Sequence, residues 1–206
     1  MAISLRPAQR DRLVSLLRLL EKWSRAYNLT AIRDISDMVP LHVLDSLSAL
    51  RALNGRDILD VGTGAGFPGL PLAIVAAESR FVLLDSSAKK LRFVEHAAGE
   101  LGLVNVSVAH ERVEDYATGH GFDTVICRAF ASLAVVVRDC AHLVREEGCI
   151  VAMKGRDPGR EIAGSAPGWD VTAEPVSVPT LNQQRHLVVM RRAEYRSSNE
   201  RDRRQY

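Results

Sequence analysis

Asp60-Val61-Gly62-Thr63-Gly64-Ala65-Gly66-Phe67-Pro68-Gly69, entered through Ile58-Leu59 and left through Leu70-Pro71-Leu72-Ala73-Ile74, reads as a strand, a glycine turn and a helix start. Glycines at alternate positions let the backbone turn sharply at the strand's carboxyl end and press its N–H groups against a ligand, an approach that a Cβ would obstruct. Gly64, Gly66 and Gly69 also satisfy the G-x-G-x-x-G spacing of dinucleotide sites, which names no ligand without its context. Asp60 discriminates. A carboxylate at the strand end opposes a pyrophosphate but suits a ligand carrying positive charge, such as the sulfonium and ammonium of S-adenosylmethionine. Asp60 is therefore expected to face the ligand, so that replacing it alters binding rather than packing. A dinucleotide site and a purely structural turn are the alternatives.

With 206 residues, 47% of them hydrophobic, the chain suffices for one good core and is short for two domains. The net charge of +2 does not mark a nucleic-acid binder, but it is unevenly spread. Residues 191–206 hold six arginines against three acids, a surplus of three that leaves the rest of the chain at −1. Residues 193–206 are accordingly expected to be a basic, solvated tail. Cys127, Cys140 and Cys149 lack C-x-x-C spacing and sit in apolar surroundings, as reduced core thiols of a cytoplasmic protein would. No run approaches the ~18 apolar residues of a membrane span, and the first residues lack a signal-peptide apolar region.

Upstream of the loop, Leu13, Leu16, Leu17, Leu20, Trp23 and Tyr27 form one helical stripe. A second helix is predicted from a cap at Ser36 through Val39, Val43, Leu44, Leu47 and Leu50 to Asn54-Gly55. Residues 1–55 thus make an N-terminal helical extension, a lid or flank for the domain of residues 56–192. From residue 57 short strand-like runs alternate with longer helix-like ones, which indicates an α/β fold with a mostly parallel, seven-stranded sheet and helices on both faces. Strands are predicted at 57–61, 80–85, 104–109, 122–127, 148–154, 170–178 and 186–191, and helices at 69–77, 87–101, 132–144 and 158–164. Gly164-Ser165-Ala166-Pro167-Gly168 breaks the alternation, so the last two strands are expected to form a partly antiparallel, hairpin-like end.

Asp85 closes the second predicted strand about 20 residues beyond the glycine turn, where a carboxylate can take both hydroxyls of a ribose. Capping of the next helix is its structural alternative, although Ser86 and Ser87 are available for that. Arg112-Val113-Glu114-Asp115 follows the third strand at the same edge, where a carboxylate and free backbone groups can read an adenine; a solvated polar loop is the alternative. Cations gather at strand ends: Arg128 after the fourth, Lys154 after the fifth, Lys89, Lys90 and Arg92 after Asp85, and Arg185 before the last. Lysines at a helix amino end oppose the helix dipole and favour an anionic partner such as phosphate, unless they are simply solvated. Arg128, flanked by Val125-Ile126-Cys127 and Ala129-Phe130-Ala131, needs a partner if buried, such as a carboxylate that is structural or on the cofactor. No Asp- or Asn-Pro-Pro-aromatic follows the fourth strand, which weighs against methylation of an exocyclic amine. Cys127 stands in an apolar run and reads as core, and no histidine pair or G-x-S-x-G serine suggests metal or acyl chemistry.

The loop resembles the acidic-x-Gly-x-Gly-x-Gly motif of Rossmann-like methyltransferases. Trp23 to Thr30, His42-Val43-Leu44-Asp45-Ser46, Asp60 to Pro71, Leu84-Asp85-Ser86, Arg128-Ala129-Phe130-Ala131-Ser132-Leu133, Met153-Lys154-Gly155 and Arg185 to Val189 are similar to the bacterial small-subunit ribosomal RNA methyltransferase G family, once called glucose-inhibited division protein B. The resemblance runs from about residue 20 to 190 and implies a Rossmann-like class I methyltransferase fold. It further implies methyl transfer from S-adenosylmethionine to N7 of a guanine in the decoding-region loop of 16S rRNA, presented as RNA or as a small-subunit particle. Gly62, Gly64, Phe67, Val113, Glu114 and Arg128 would then line the cofactor with Asp85 on its ribose, while Lys89, Arg112, Lys154 and Arg185 would face RNA or order the site. One departure is Leu41, where the family pattern has arginine before His42, so any anion contact there loses its usual side chain. Guanine N7 offers an in-plane lone pair and loses no proton, so alignment suffices without a general base, and Arg128 and Lys154 become positioning groups. Phe130 would stack a flipped guanine or belong to the core. The protein is expected to be a metal-free monomer. A small-molecule methyltransferase is the alternative, although that function suits a closed apolar pocket better than a rim of cations.

Overall fold

The computed structural model describes residues 3–162 and 167–193; most of the arginine-rich tail and part of the Gly164 to Gly168 break lie outside the described residues. Strands β1 (Asp57–Val61), β2 (Arg80–Asp85), β3 (Val106–His110), β4 (Phe122–Arg128), β5 (Val144–Lys154), β6 (Trp169–Pro175) and β7 (His186–Arg192) form one sheet in the order β3-β2-β1-β4-β5-β7-β6. Pairings from β3 through β5 are parallel, and β7 runs antiparallel to both β5 and β6. The chain winds outward from β1 to β3 and returns to β4 on the other side of β1. At such a switch point the loops after the two strands diverge and leave a crevice at their carboxyl ends.

Helix α1 (Pro7–Tyr27) opens with Pro7 in its first turn and with Gln9 Oε1 accepting the Arg6 N–H at 2.9 Å; it closes at Asn28, which adopts the left-handed conformation. Leu13, Leu16, Leu17 and Leu20 are buried in the same cluster as Leu70, Phe81 and Phe93. At about 1.5–3 kcal/mol for each fully buried leucine, α1 is held as part of the core rather than as a detachable lid. The predicted second helix is helical over 35–52 but not uniform: α2 (Ile35–Met38), a π turn (Val39–Leu44), α3 (Asp45–Ser48) and a 3-10 turn (Ala49–Ala52). Its cap is Asp34, which accepts the Ser36 N–H at 2.7 Å, and not Ser36. Pro40 has no N–H to give, and the turn widens around it.

Helices α4 (Gly69–Val75) and α5 (Ala88–Glu100) cover the same face as α1, and α6 (Leu133–Cys140) covers the other. The predicted helix 132–144 ends early because a 3-10 turn at Ala141–Leu143 feeds β5, which begins at Val144 rather than at 148. The register shifts between Phe122 and Thr124, so charged Arg145-Glu146-Glu147 bulges within a strand and hides its start from a hydrophobic reading. A short α7 (Gly159–Ile162) follows β5.

Candidate functional site

Two adjoining cavities open at the crevice. The first, about 420 Å³, is lined by Gly62, Asp85, Arg112, Val113, Glu114 and Phe130 among others. The second, about 550 Å³, lies under the N-terminal extension and is lined by His42, Asp45, Phe67, Lys154 and Arg185 among others. Gly62, Lys90, Arg128 and Ala129 line both. The two spaces therefore meet over the glycine loop.

The loop is fixed from both sides. Gly62 has a φ of +65°, and a Cβ there would stand 2.8 Å from the Phe130 ring, so the position needs glycine for conformation and for space. The Gly64 N–H donates to Asp85 Oδ2 at 2.9 Å, and the Ser87 N–H donates to Asp85 Oδ1 at 2.8 Å. Asp85 thus ties the loop to the start of α5 while lining the first cavity. A carboxylate has about four acceptor positions, so two remain for hydroxyls of a bound ribose.

Asp60 does not face the ligand, contrary to the expectation from sequence. It lines neither cavity and is fully buried. Its Oδ2 accepts the Thr63 hydroxyl at 2.6 Å and the Gly69 N–H at 2.8 Å, fastening the two ends of the glycine turn from beneath. Its Oδ1 has no protein partner, and burial pushes the carboxyl pKa up to about 6.

The cations divide. Lys89 lines neither cavity; it is exposed, with its ammonium 5.6 Å from the Tyr27 ring, and its neighbour Lys90 lines both, 3.9 Å from Asp85 Oδ2. Arg112, expected toward RNA, lines the first cavity beside Val113 and Glu114. Lys154 lines the second cavity but gives hydrogen bonds to Ala131 O at 2.7 Å and Glu161 Oε2 at 2.9 Å. Arg128 has a structural partner: its Nη1 donates to Leu41 O at 3.0 Å and Asp45 Oδ2 at 3.1 Å. Arg185 Nε donates to the other oxygen of Asp45 at 2.9 Å. Leu41, the family departure, thus supplies its carbonyl.

His42 stacks on Phe67 with ring centroids 4.8 Å apart, and the Arg128 guanidinium lies 5.7 Å from that same Phe67 ring. Burial, reinforced by the Arg128 charge, lowers the His42 pKa to about 4. The ring is neutral at neutral pH. With Nδ1 facing an arginine donor at 3.4 Å, the proton belongs on Nε2, which meets Thr30 Oγ1 at 2.9 Å. Cys127 is buried in β4, where burial raises its thiol far above the ordinary range, so it offers no thiolate.

Asp60 and His42 titrate in opposition. Between 3.8 and about 6 the folded state holds more protons on Asp60 than the unfolded chain, so its contribution to stability falls as pH rises. Between about 4 and 6.5 the unfolded chain holds more protons on His42, so that contribution rises with pH. Asp60→Asn is therefore expected to steepen the rise of the melting midpoint from pH 4 to pH 6, and His42→Gln to flatten or invert it. Thermal melts followed by circular dichroism across that window check both signs; parallel profiles for parent and variants would contradict them.

His42, Asp45 and Thr63 carry site contacts that the sequence reading left without a role. The available signal was His42 and Asp45 among the apolar residues of the second helical run, two polar groups that burial obliges to find partners. Among the described residues no cluster of three or more His, Cys, Asp or Glu could hold a metal ion, and no helix is long and apolar enough to cross a membrane.

A glycine loop and an acidic strand end at the switch point of this seven-stranded sheet define a Rossmann-like class I methyltransferase, the class that uses S-adenosylmethionine. The family model described as rRNA small subunit methyltransferase G matches residues 9–188, and the chain belongs to that family. It is similar to the "Ribosomal RNA small subunit methyltransferase G" of Nitrosococcus oceani, with 51% identity over 93% of this chain and 90% of that protein. The protein of that name from Methylococcus capsulatus is 50% identical over 89% of each chain. Among solved structures, the DhpI-SAH complex aligns with a TM-score of 0.58 at 18% identity over 88% of this chain and 98% of that one. A SAM dependent methyltransferase from Aquifex aeolicus aligns at 0.57 and 17% identity over 86% and 97%; both likenesses concern the fold.

Proposed function

We infer that this chain methylates N7 of a guanine in the decoding-region loop of 16S rRNA, using S-adenosylmethionine, and works as a monomer in the cytoplasm. The observation that carries the reading is the second cavity: it adjoins the cofactor cavity, has four cations on its wall and holds no free proton acceptor. His42 is neutral with both ring nitrogens engaged, and Asp45 is held by two arginines. An exocyclic amine or a hydroxyl must lose a proton to be methylated, whereas N7 of guanine presents an unprotonated lone pair. The bound cofactor supplies an electrophilic methyl group. The chain's own part is to hold that methyl in line with the base and to balance the phosphates that arrive with the RNA.

Small-subunit particles from cells lacking the activity are expected to accept methyl groups at a guanine N7, read by mass spectrometry of the nucleosides. Lys154→Ala and Arg185→Ala should each reduce the salt slope of RNA binding by roughly one unit of log affinity per log salt. Filter binding across a salt series checks this. Unchanged slopes for both, with cofactor binding intact, would favour a small-molecule acceptor.

A further inference from the structure

The second cavity has one acidic side chain, Asp45, against Lys90, Arg128, Lys154 and Arg185. Asp45 is 4% exposed, and each of its oxygens takes a different guanidinium, Arg128 at 3.1 Å and Arg185 at 2.9 Å. The two arginines come from the end of β4 and the approach to β7, 83 and 140 residues from Asp45 in sequence. They do different work. Arg128 lines both cavities and Arg185 only the second. Each guanidinium carries five N–H donors, and neither exhausts them on protein acceptors: Arg128 serves Leu41 O, Asp45 and His42, while Arg185 serves Asp45, Gln184 O and Gln183 Oε1.

We propose that Asp45 is a positioning residue that sets both halves of the site at once, one oxygen holding Arg128 at the junction of the cavities and the other holding Arg185 at the substrate mouth. The assignment of the two halves to cofactor and RNA rests on the proposed function. The physical requirement is charge. Two part-buried guanidiniums on one carboxylate stay together only while that carboxylate is ionised, since removing its charge leaves two like charges facing each other with little water between them. Asp45→Asn keeps the shape and removes the charge. Arg128 then turns away from the junction, and it is freed of that repulsion again if Arg185 is also removed. A carboxylate that merely helps hold α3 to the sheet predicts no such recovery.

The experiment is calorimetric titration of S-adenosylmethionine into the parent, Asp45→Asn, Arg185→Ala and the double variant, each with its thermal melt. Asp45→Asn should weaken cofactor binding by about tenfold or more, Arg185→Ala by about twofold or less, and the double variant should recover to within about threefold of the parent. If Asp45→Asn fails to fold, the double variant carries the test by the same threefold criterion. A double variant no better than Asp45→Asn, or an Asp45→Asn that binds like the parent, would overturn the proposal while leaving the methyltransferase reading intact. A parent that does not bind the cofactor would overturn that reading and the proposal with it.

Discussion

Asp60→Lys is expected to leave little folded chain. Asp60 sits inside β1 between Leu83 of β2 and Ile126 of β4, with no exposed surface. The substitution strips the Thr63 hydroxyl and the Gly69 N–H of their acceptor, about 1–3 kcal/mol for each donor left buried and unpaired. It also puts an ammonium where a fully buried carboxylate stood, in the field of the Arg128 charge, which costs several kcal/mol even after relaxation. Space is lacking too, since a Cβ on Gly69 would already lie 2.7 Å from Asp60 Oδ2. The sum rivals the roughly 5–15 kcal/mol that keeps a domain folded. Circular dichroism and soluble yield test this; a cooperative melt within about 5 °C of the parent would place the Asp60 side chain outside the core.

Gly62→Val should behave in the opposite way, sparing the fold and removing cofactor binding. The left-handed conformation costs a non-glycine residue about 1–3 kcal/mol, and a β-branched one more. The added Cβ also meets the Phe130 ring at 2.8 Å, so either the loop or the ring must move, and both line the first cavity. Cofactor affinity is expected to fall at least about 100-fold, or ~2.7 kcal/mol, against a loss of about 5–10 °C in melting midpoint that leaves the chain folded. Calorimetry and melting on the same sample read the two effects separately. Affinity within about twofold of the parent would mean that this loop does not receive the cofactor.

What the sequence disclosed was mainly local. The glycine turn and Asp85 are both legible because strand, turn and helix start lie within 30 residues and each leaves its own chemical mark. The antiparallel end was legible too, from one glycine and proline break. Asp60 misled because spacing along a strand says that alternate residues face opposite ways but not which way is the ligand. In the fold Asp60 lies on the side of Ile58, beneath the loop and toward α4. Lys89 and Lys90 illustrate the same limit on a helix, where one residue is a rotation of about 100°, enough to exchange solvent for the pocket. Asp45 was beyond reach for another reason: its partners are fixed by the winding of the sheet, and a helix bearing one buried carboxylate gives no address for the arginine that answers it.

The position of β7 bears on how the chain reaches this state. It is the last strand in sequence among the described residues, yet it lies inside the sheet, between β5 and β6. During synthesis β6 emerges with no neighbour to pair with, and β5 keeps a bare edge until residues 186–192 arrive to join the two. The left half, with the glycine turn, can form early, whereas the half that carries Arg185 closes only with that final insertion. A chain cut short before β7 would therefore display the bare edge of β5 and a β6 segment unpaired on both sides, and would be prone to pair with other copies of itself instead of remaining a nearly complete enzyme.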